Sequence, residues 1–288
     1  MKDATSNDPR SIVDMLDRNG VVKIDGFLAQ DSLGAVRREL ETARASLGAT
    51  GSPPPQRGPS MYPTSMLVHG RLGTISEISR VMTSPTLDAV RKLRIGSNAY
   101  VSDIVGIESL PEHGIVTQWH VDGTLDCIRT PGSARIKLFF YLNDITSRNG
   151  AFSYVPGSQK LLDALHRKMH DGELEPVAIR DLSALRQYFA DHAPSLPAEF
   201  QKIADDMFSE IDSDTAPCGP YSLEGPAGTL IAFDERGMHR GGDISEGKRS
   251  ILRISLRREN VKNIRELTRA TFRKTARLVL PRRYASLM

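Results

Sequence analysis

The pattern that most constrains this fold is a succession of short segments in which apolar and polar residues alternate, as they do in half-buried β-strands. The strongest segment, 134–142, is rich in apolar and aromatic residues. One stretch, 159–212, loses this period and carries apolar residues at helical spacing. Many strands with one helical interruption, and helices at both ends, favour an antiparallel barrel or sandwich braced by helices. The strand-like segments are 97–107, 114–122, 134–142, 151–155, 228–233 and 251–256.

The chain before the first long strand predicts a buttress for the later sheet. Helical spacing of apolar residues at 9–18 and 31–47 flanks a strand-like run at 21–24, and a further helical stretch covers 73–93. Residues 48–66 include three consecutive prolines and several glycines, so we predict no regular structure there. A loop of that length is either a flap over a site or a mobile surface loop.

We predict a single domain, 1–288, made of four parts. These are an N-terminal buttress with the Pro-rich loop (1–95), a core in two pieces (96–158 and 223–256), a helical insert (159–222) and a basic C-terminal helix (257–288). The C-terminal part holds ten Lys or Arg against two Glu, a local formal charge of +8 in a chain whose net charge is +3. We interpret this surplus as a solvated helix face.

The composition is that of an ordinary soluble chain, with 39% hydrophobic and 25% charged residues. Two cysteines, Cys127 and Cys218, provide no disulfide framework, which favours a reducing compartment. The charged N-terminus lacks the apolar segment of a secretion signal, and no run reaches the roughly 18 apolar residues of a membrane helix. We therefore expect a cytoplasmic protein without membrane contact. We find no nucleic-acid motif and expect no nucleic-acid binding.

Two residues at the end of a strand-like run carry the first indication of chemistry. His120 and Asp122 stand at i and i+2, so on a strand both leave the same face, while Trp119 points into the packing layer. His239 follows a second buried strand and can supply a third ligand. Two histidines and one carboxylate with open positions opposite are the arrangement of non-haem Fe(II) oxygenases. An ordinary hydrogen-bonded His–Asp pair beside a turn is the alternative.

Four motifs, in order along the chain, resemble the phytanoyl-CoA dioxygenase (PhyH) family of Fe(II)/2-oxoglutarate-dependent oxygenases. They are Trp119-His120-Val121-Asp122-Gly123, Tyr141-Leu142-Asn143-Asp144 with Asn149-Gly150, Val155-Pro156-Gly157-Ser158, and the stretch from Gly225 to Phe233 followed by His239 and Arg249. The resemblance implies a mainly β fold with flanking helices, whose core is a double-stranded β-helix (jelly-roll, cupin-like) with a helical insert. It also implies that 2-oxoglutarate is decarboxylated to succinate and CO₂ while O₂ oxidises a second substrate.

Carried over to this sequence, the resemblance implies that His120, Asp122 and His239 bind Fe(II) and that Arg249 binds the distal carboxylate of 2-oxoglutarate. An arginine suits that role because it stays charged when buried and its planar fork matches a carboxylate. Hydroxylation of a small-molecule substrate is the default outcome, with a role in secondary metabolism suggested by the breadth of the family.

Two further residues are candidates for contact with the co-substrate or substrate. On the strand that Arg249 begins, period-2 alternation places Arg253 on the same face and Leu252 on the other. Arg253 should then help to hold 2-oxoglutarate or meet an anionic group of the substrate. Gln118 shares a strand face with His120 and can reach either compound, or it is simply a solvated polar residue. The other five histidines are expected in loops or in solvent; they are His69, His113, His166, His170 and His192.

Two alternative functions keep the same barrel. A cupin-like metal-dependent isomerase or hydrolase would use His120, Asp122 and His239 without needing Arg249. A non-catalytic barrel would bind a ligand, or an acidic protein through the basic C-terminal part. The sequence leaves open the substrate, the oligomeric state, and whether the outcome is hydroxylation, desaturation, cyclisation, ring expansion or epoxidation.

Overall fold

Two antiparallel sheets face each other in the protein. The computed structural model describes residues 7–48, 60–63, 77–111, 117–213 and 221–258. The strands are β1 (Val21–Ile24), β2 (Ser60–Pro63), β3 (Ala99–Ser109), β4 (Thr117–His120), β5 (Arg135–Tyr141), β6 (Phe152–Tyr154), β7 (Ser222–Leu223), β8 (Leu230–Asp234), β9 (His239–Gly241) and β10 (Arg249–Arg258). The larger sheet has the order β1-β8-β5-β10-β3-β2, and the smaller has the order β4-β9-β6-β7.

Helices cover the outer face of the larger sheet and form a separate layer beside the smaller one. They are α1 (Pro9–Asn19), α2 (Gln30–Gly48), α3 (Glu77–Met82), α4 (Pro85–Arg94), α5 (Thr124–Arg129), α6 (Ser158–His170), α7 (Leu182–His192) and α8 (Ala198–Asp212), with a 3₁₀ turn at Ala193–Ser195. The chain stops α1 sharply, because Gly20 has a positive φ of 77° and donates its N–H to the carbonyl of Leu16.

The alternation of β10 separates the two apolar layers. Leu252, Ile254 and Leu256 are buried with residues of α1, α2, α3 and α4 on the outer face. Ile251 instead belongs to the cluster between the sheets. Phe139 lies in that inner layer with its ring centroid 4.9 Å from that of Phe233, in an edge-to-face arrangement. The face assignment predicted for this strand is confirmed.

The stretch predicted as a helical insert holds α6, α7 and α8, which bury an apolar cluster of their own. Trp119 and Val121 pack into that cluster, so β4 carries the metal-site candidates on one side and the helical layer on the other. The predicted orientation of Trp119 is confirmed. The backbone N–H of Val121 also donates to the carbonyl of Arg180 at 2.9 Å, which attaches the edge of β4 to this layer.

Two predictions from the sequence are wrong at their boundaries. The Pro-rich stretch 48–66 contains β2, whose residues pair with Val105 to Glu108 of β3; the possible flap otherwise lies outside the described residues. Arg257 and Arg258 continue β10 instead of starting a C-terminal helix, and the remainder of that helix is also outside the described part. None of the helices in the described part is both long and apolar enough to cross a lipid bilayer.

Candidate metal centre

His120 and His239 are brought together by the pairing of two short strands in the smaller sheet. His120 ends β4, His239 begins β9, and the two residues are register partners. Their ring centroids are 4.2 Å apart. His239 is 3% exposed, whereas His120 is partly open. The first ligand pair is therefore fixed by backbone hydrogen bonding between elements that are far apart in sequence.

Asp122 reaches the same point from a turn and not from the strand predicted for it. The strand ends at His120, and Asp122 precedes α5. Its backbone N–H donates to the carbonyl of Glu235 at 3.2 Å, which fixes the turn against the loop between β8 and β9. Its carboxylate oxygens lie 3.3 Å from Nε2 of His239 and 4.0 Å from Nε2 of His120.

Both imidazoles are oriented in the same way by their own backbone. Nδ1 of His120 donates to the carbonyl of Gln118 at 2.7 Å, and Nδ1 of His239 donates to the carbonyl of Gly237 at 2.8 Å. Since a carbonyl can only accept, each Nδ1 carries a proton and each neutral ring leaves Nε2 as a lone-pair donor. Burial, and then the neighbouring His239, lowers the pKa of His120 to about 4, which keeps that ring neutral at physiological pH.

The three side chains fit a divalent transition metal. One ligand atom from each lies within 4.8 Å of the others, close enough for all three to share one ion. Burial would raise the pKa of Asp122, but the neighbouring His239 and the charge of Lys137 hold it below its ordinary value. Two neutral imidazoles and one carboxylate on one side of an ion leave the opposite positions open.

Arg249 is buried and lacks an acidic partner. Its side chain begins β10 and is 5% exposed. Nη1 donates to the carbonyl of Gly150 at 2.9 Å, while Nε is buried without an acceptor. Within the described chain no carboxylate forms an ion pair with it. Burial lowers its pKa to about 10, so the guanidinium stays charged at neutral pH. A buried charge without a counter-ion is costly, so this side chain could bind an anion.

The comparisons with known proteins agree with this geometry. The family model for phytanoyl-CoA dioxygenase (PhyH) matches residues 16–251. The chain belongs to the phytanoyl-CoA dioxygenase family. The resemblance carried by the four motifs is confirmed, and with it the enzyme class, Fe(II)/2-oxoglutarate-dependent oxygenase. Iron and 2-oxoglutarate are the cofactor and co-substrate of that class, as the sequence predicted.

Three individual relatives share low sequence identity with this chain, from 16% to 25%. The L-proline trans-4-hydroxylase of Streptomyces griseoviridis is 25% identical over 185 residues, which cover 62% of this chain and 62% of that protein's length. The structure of HygX from Streptomyces hygroscopicus, with nickel and 2-oxoglutarate bound, has a TM-score of 0.54 at 17% identity, with 86% of each chain covered. SnoK, an α-ketoglutarate-dependent carbocyclase from nogalamycin biosynthesis, has a TM-score of 0.56 at 16% identity over 90% of both chains. These structures show the same fold, which confirms the predicted jelly roll.

In this member of the phytanoyl-CoA dioxygenase family, the two further sequence candidates lie on different sheets, Arg253 on the larger and Gln118 on the smaller. Arg253 shares the inner face of β10 with Arg249 but is only partly buried, and its Nε lies 3.5 Å from a carboxylate oxygen of Asp103. The side chain of Gln118 is exposed. What Gln118 contributes to the site is its carbonyl group, which orients His120.

Sequence reasoning missed three charged residues beside the centre. Lys137 contacts the carboxylate of Asp122, and its Nζ lies 3.8 Å from Glu235, which is 1% exposed. Arg257 pairs with the same Glu235 at 3.4 Å. A signal for Lys137 was present, because alternation along β5 places it on one face with Phe139 and Tyr141.

The expectation for the remaining histidines is wrong for one of them. His166 lies within α6 and is fully buried, and neither ring nitrogen has a hydrogen-bond partner. His170 and His192 are at helix ends, and His69 and His113 are outside the described residues.

A cavity of about 310 Å³ lies between α2 and the β3–β10 edge, but its lining includes none of the three candidate ligands. We therefore locate the candidate site where His120, Asp122 and His239 converge and not at this cavity.

Proposed function

We propose that this chain hydroxylates a small-molecule substrate as an Fe(II)/2-oxoglutarate-dependent dioxygenase. The observation that carries the proposal is the pairing of two features on facing sheets. A His–Asp–His cluster can hold one metal ion, and a buried arginine without a counter-ion, Arg249, can hold an anion. An isomerase or hydrolase that uses only the metal would not need the second feature.

Each side chain has a role that its geometry supports. His120 and His239 bind Fe(II) through Nε2, and Asp122 binds it through a carboxylate oxygen. Arg249 binds the distal carboxylate of 2-oxoglutarate through its free N–H groups. The bound iron would supply the redox chemistry that couples decarboxylation of 2-oxoglutarate, to succinate and CO₂, with oxidation of the substrate.

The protein also keeps this chemistry away from bulk water. The aromatic rings of Phe233 and Phe152 lie with their centroids 5.1 and 5.7 Å from that of His239, and the Tyr154 ring stacks at 6.4 Å. All three aromatic residues are buried. This wall excludes solvent from the inner side of the metal centre and leaves the side of His120 open to an incoming substrate.

The names of the relatives support a small-molecule substrate and a role in secondary metabolism. They include a proline hydroxylase, a carbocyclase and an epimerase from nogalamycin biosynthesis. Hydroxylation is our choice among these outcomes because the relative found by sequence is a hydroxylase. The cysteine content supports a cytoplasmic location, since Cys127 is a buried free thiol.

Formation of succinate tests the proposal. Purified protein with Fe(II), ascorbate and 2-oxoglutarate under air should release succinate slowly even without its substrate. Asp122→Ala should abolish the release, while Asp191→Ala, which removes an exposed carboxylate of α7, should leave it unchanged. Metal binding without any succinate would contradict the proposal and favour a metal-dependent isomerase or hydrolase.

A further inference from the structure

Several cations lie on the inner face of the larger sheet beside the metal centre, and three of them form a row, while Arg135 on the same face pairs with Asp126 and Glu235. Lys137 on β5 is the register partner of Ser255 on β10. Arg253 and Arg257 stand two residues before and after Ser255, so all three cations leave the same face. Lys137 contacts Asp122, which places this cation row next to the metal ligands.

These cations are partly buried and incompletely satisfied. The side chains of Lys137, Arg253 and Arg257 are 12%, 24% and 34% exposed. The Nε atoms of both arginines are buried and make no hydrogen bond, although that of Arg253 is 3.5 Å from the carboxylate of Asp103. The cation row is therefore accessible from solvent and has donors to offer to an anion.

Charge balance in the cation row changes when the metal ion binds. The acidic groups that contact the row are Asp122, Glu235 and Asp103. Once Asp122 coordinates a divalent cation, its negative charge is shared with the metal and no longer matches Lys137. The three cations then face Glu235, which is also shared with Arg135 at 3.4 Å, and Asp103, and an added anion would restore the balance.

The carboxylate that Arg249 holds is not that anion. Arg249 lies at the other end of β10, four residues from Arg253 and eight from Arg257, or about 13 and 26 Å along an extended strand. Arg253 turns toward Asp103 of β3, and Arg249 toward Gly150. The distal carboxylate of a co-substrate held by Arg249 therefore lies away from Arg257, at the other end of the strand.

We propose that Lys137, Arg253 and Arg257 bind an anionic group, a carboxylate or a phosphate, on the substrate that is oxidised. The proposal rests on the function given above, because the metal centre defines where the substrate must lie. It makes the cation row a specificity determinant that holds the charged end of the substrate and presents the remainder to the metal. It also assigns Arg253 to the substrate and not to 2-oxoglutarate.

Paramagnetic relaxation tests the proposal with simple probes. The full chain is loaded with Mn(II) and saturating 2-oxoglutarate, then titrated at constant ionic strength with acetate or inorganic phosphate. Relaxation of the acetate methyl protons and of phosphorus reports on binding near the metal. We expect saturable enhancement with at least one anion, and the anion that binds more tightly distinguishes a carboxylate site from a phosphate site.

Variants separate binding in the cation row from direct coordination to the metal. Arg253→Gln and Arg257→Gln should each weaken anion affinity about tenfold. Arg257→Lys keeps a positive charge beside Glu235 and should retain most of the anion affinity. Arg80→Gln removes an arginine that is 65% exposed on α3 and should change nothing. Thermal unfolding of each variant verifies that it is folded.

Two results would overturn the proposal. The first is that neither acetate nor phosphate shows a saturable enhancement of relaxation when Mn(II) and 2-oxoglutarate are bound. The other is equal enhancement in the wild type and both glutamine variants, which would mean that the probes bind only the metal. Failure of the protein to bind Mn(II) and 2-oxoglutarate at all would contradict the proposed function itself, and this inference would fall with it.

Discussion

Arg249 places a buried positive charge where the described chain provides no negative one. Such a charge lowers the stability of the protein without ligand, and a structural role would not explain why it is there. Binding of a carboxylate converts the same residue from a cost into a source of affinity. The same side chain therefore lowers the stability of the ligand-free protein and supplies the charge that binds the carboxylate.

Replacement of Arg249 by Met should have opposite effects on stability and on co-substrate binding. We expect the ligand-free protein to gain about 1–3 kcal/mol in free energy of unfolding, because an uncompensated buried charge is removed. The KM for 2-oxoglutarate should rise at least about tenfold, since a charge-assisted pair is lost. Urea denaturation and steady-state kinetics measure the two effects.

Arg94→Met provides the control for this double effect. Arg94 is also largely buried, but it pairs with Asp234 at 3.1 Å, so its removal should destabilise the protein. If Arg249→Met instead destabilised the ligand-free protein as Arg94→Met does, Arg249 would have a structural role that this account does not include.

At the scale of elements, the turn between β8 and β9 sets the position of the second histidine. Gly237 accepts the Nδ1 hydrogen bond of His239, and it lies so close to Tyr154 that a Cβ at this position would fall 1.9 Å from the tyrosine oxygen. Tyr154 is itself held by a hydrogen bond to the carbonyl of Asp234 at 3.1 Å. The turn cannot accept a side chain at 237 without a shift of Tyr154 or of the turn that carries His239.

Gly237→Ala should therefore weaken metal binding without removing a ligand. We expect Mn(II) affinity to fall about 10- to 100-fold, the range typical of lost supporting interactions around a ligating histidine. Gly34→Ala is the matched control, because Gly34 lies in α2 with its nearest neighbour 3.4 Å from the new Cβ and should gain helix stability. Unchanged Mn(II) affinity in Gly237→Ala, measured by calorimetry, would show that this contact does not position His239.

A buried ion network attaches the same turn to the helices. Arg236 donates from Nε to Asp234 at 2.8 Å and approaches Asp163 of α6 from Nη1 at 2.5 Å. Arg94 of α4 reaches Asp234 from the other side. The turn is thereby held between the N-terminal buttress and the helical layer.

Arg236→Gln should lower the free energy of unfolding by about 3–5 kcal/mol, because it leaves the buried Asp234 with one cationic partner fewer. Arg186→Gln, which breaks an exposed pair with Asp212 on the helical layer, should cost less than about 1 kcal/mol. Denaturant unfolding of both variants checks the difference. Similar losses in the two variants would mean that the network around Asp234 does not stabilise this turn.

At the scale of the whole molecule, the sequence was informative where local pattern determines structure. Alternation in β10 placed Leu252 and Ile251 on opposite faces, and the motif order predicted the jelly roll. Asp122 was assigned to a strand, but a tertiary hydrogen bond to Glu235 holds it in a turn. Glu235 itself could not be found, since its position depends on the approach of two distant loops. Arg257 was missed because it begins the basic stretch that was predicted as a C-terminal helix, whereas β10 continues through it.

The central claim is that one metal ion is shared by His120, Asp122 and His239 and chelated by 2-oxoglutarate. Anaerobic addition of Fe(II) and 2-oxoglutarate to the purified chain is the most direct measurement. We predict a weak visible charge-transfer band in the wild type that is absent in both Asp122→Ala and His239→Ala. The same band in either variant, or its absence from wild-type protein saturated with Fe(II) and 2-oxoglutarate, would contradict the central claim.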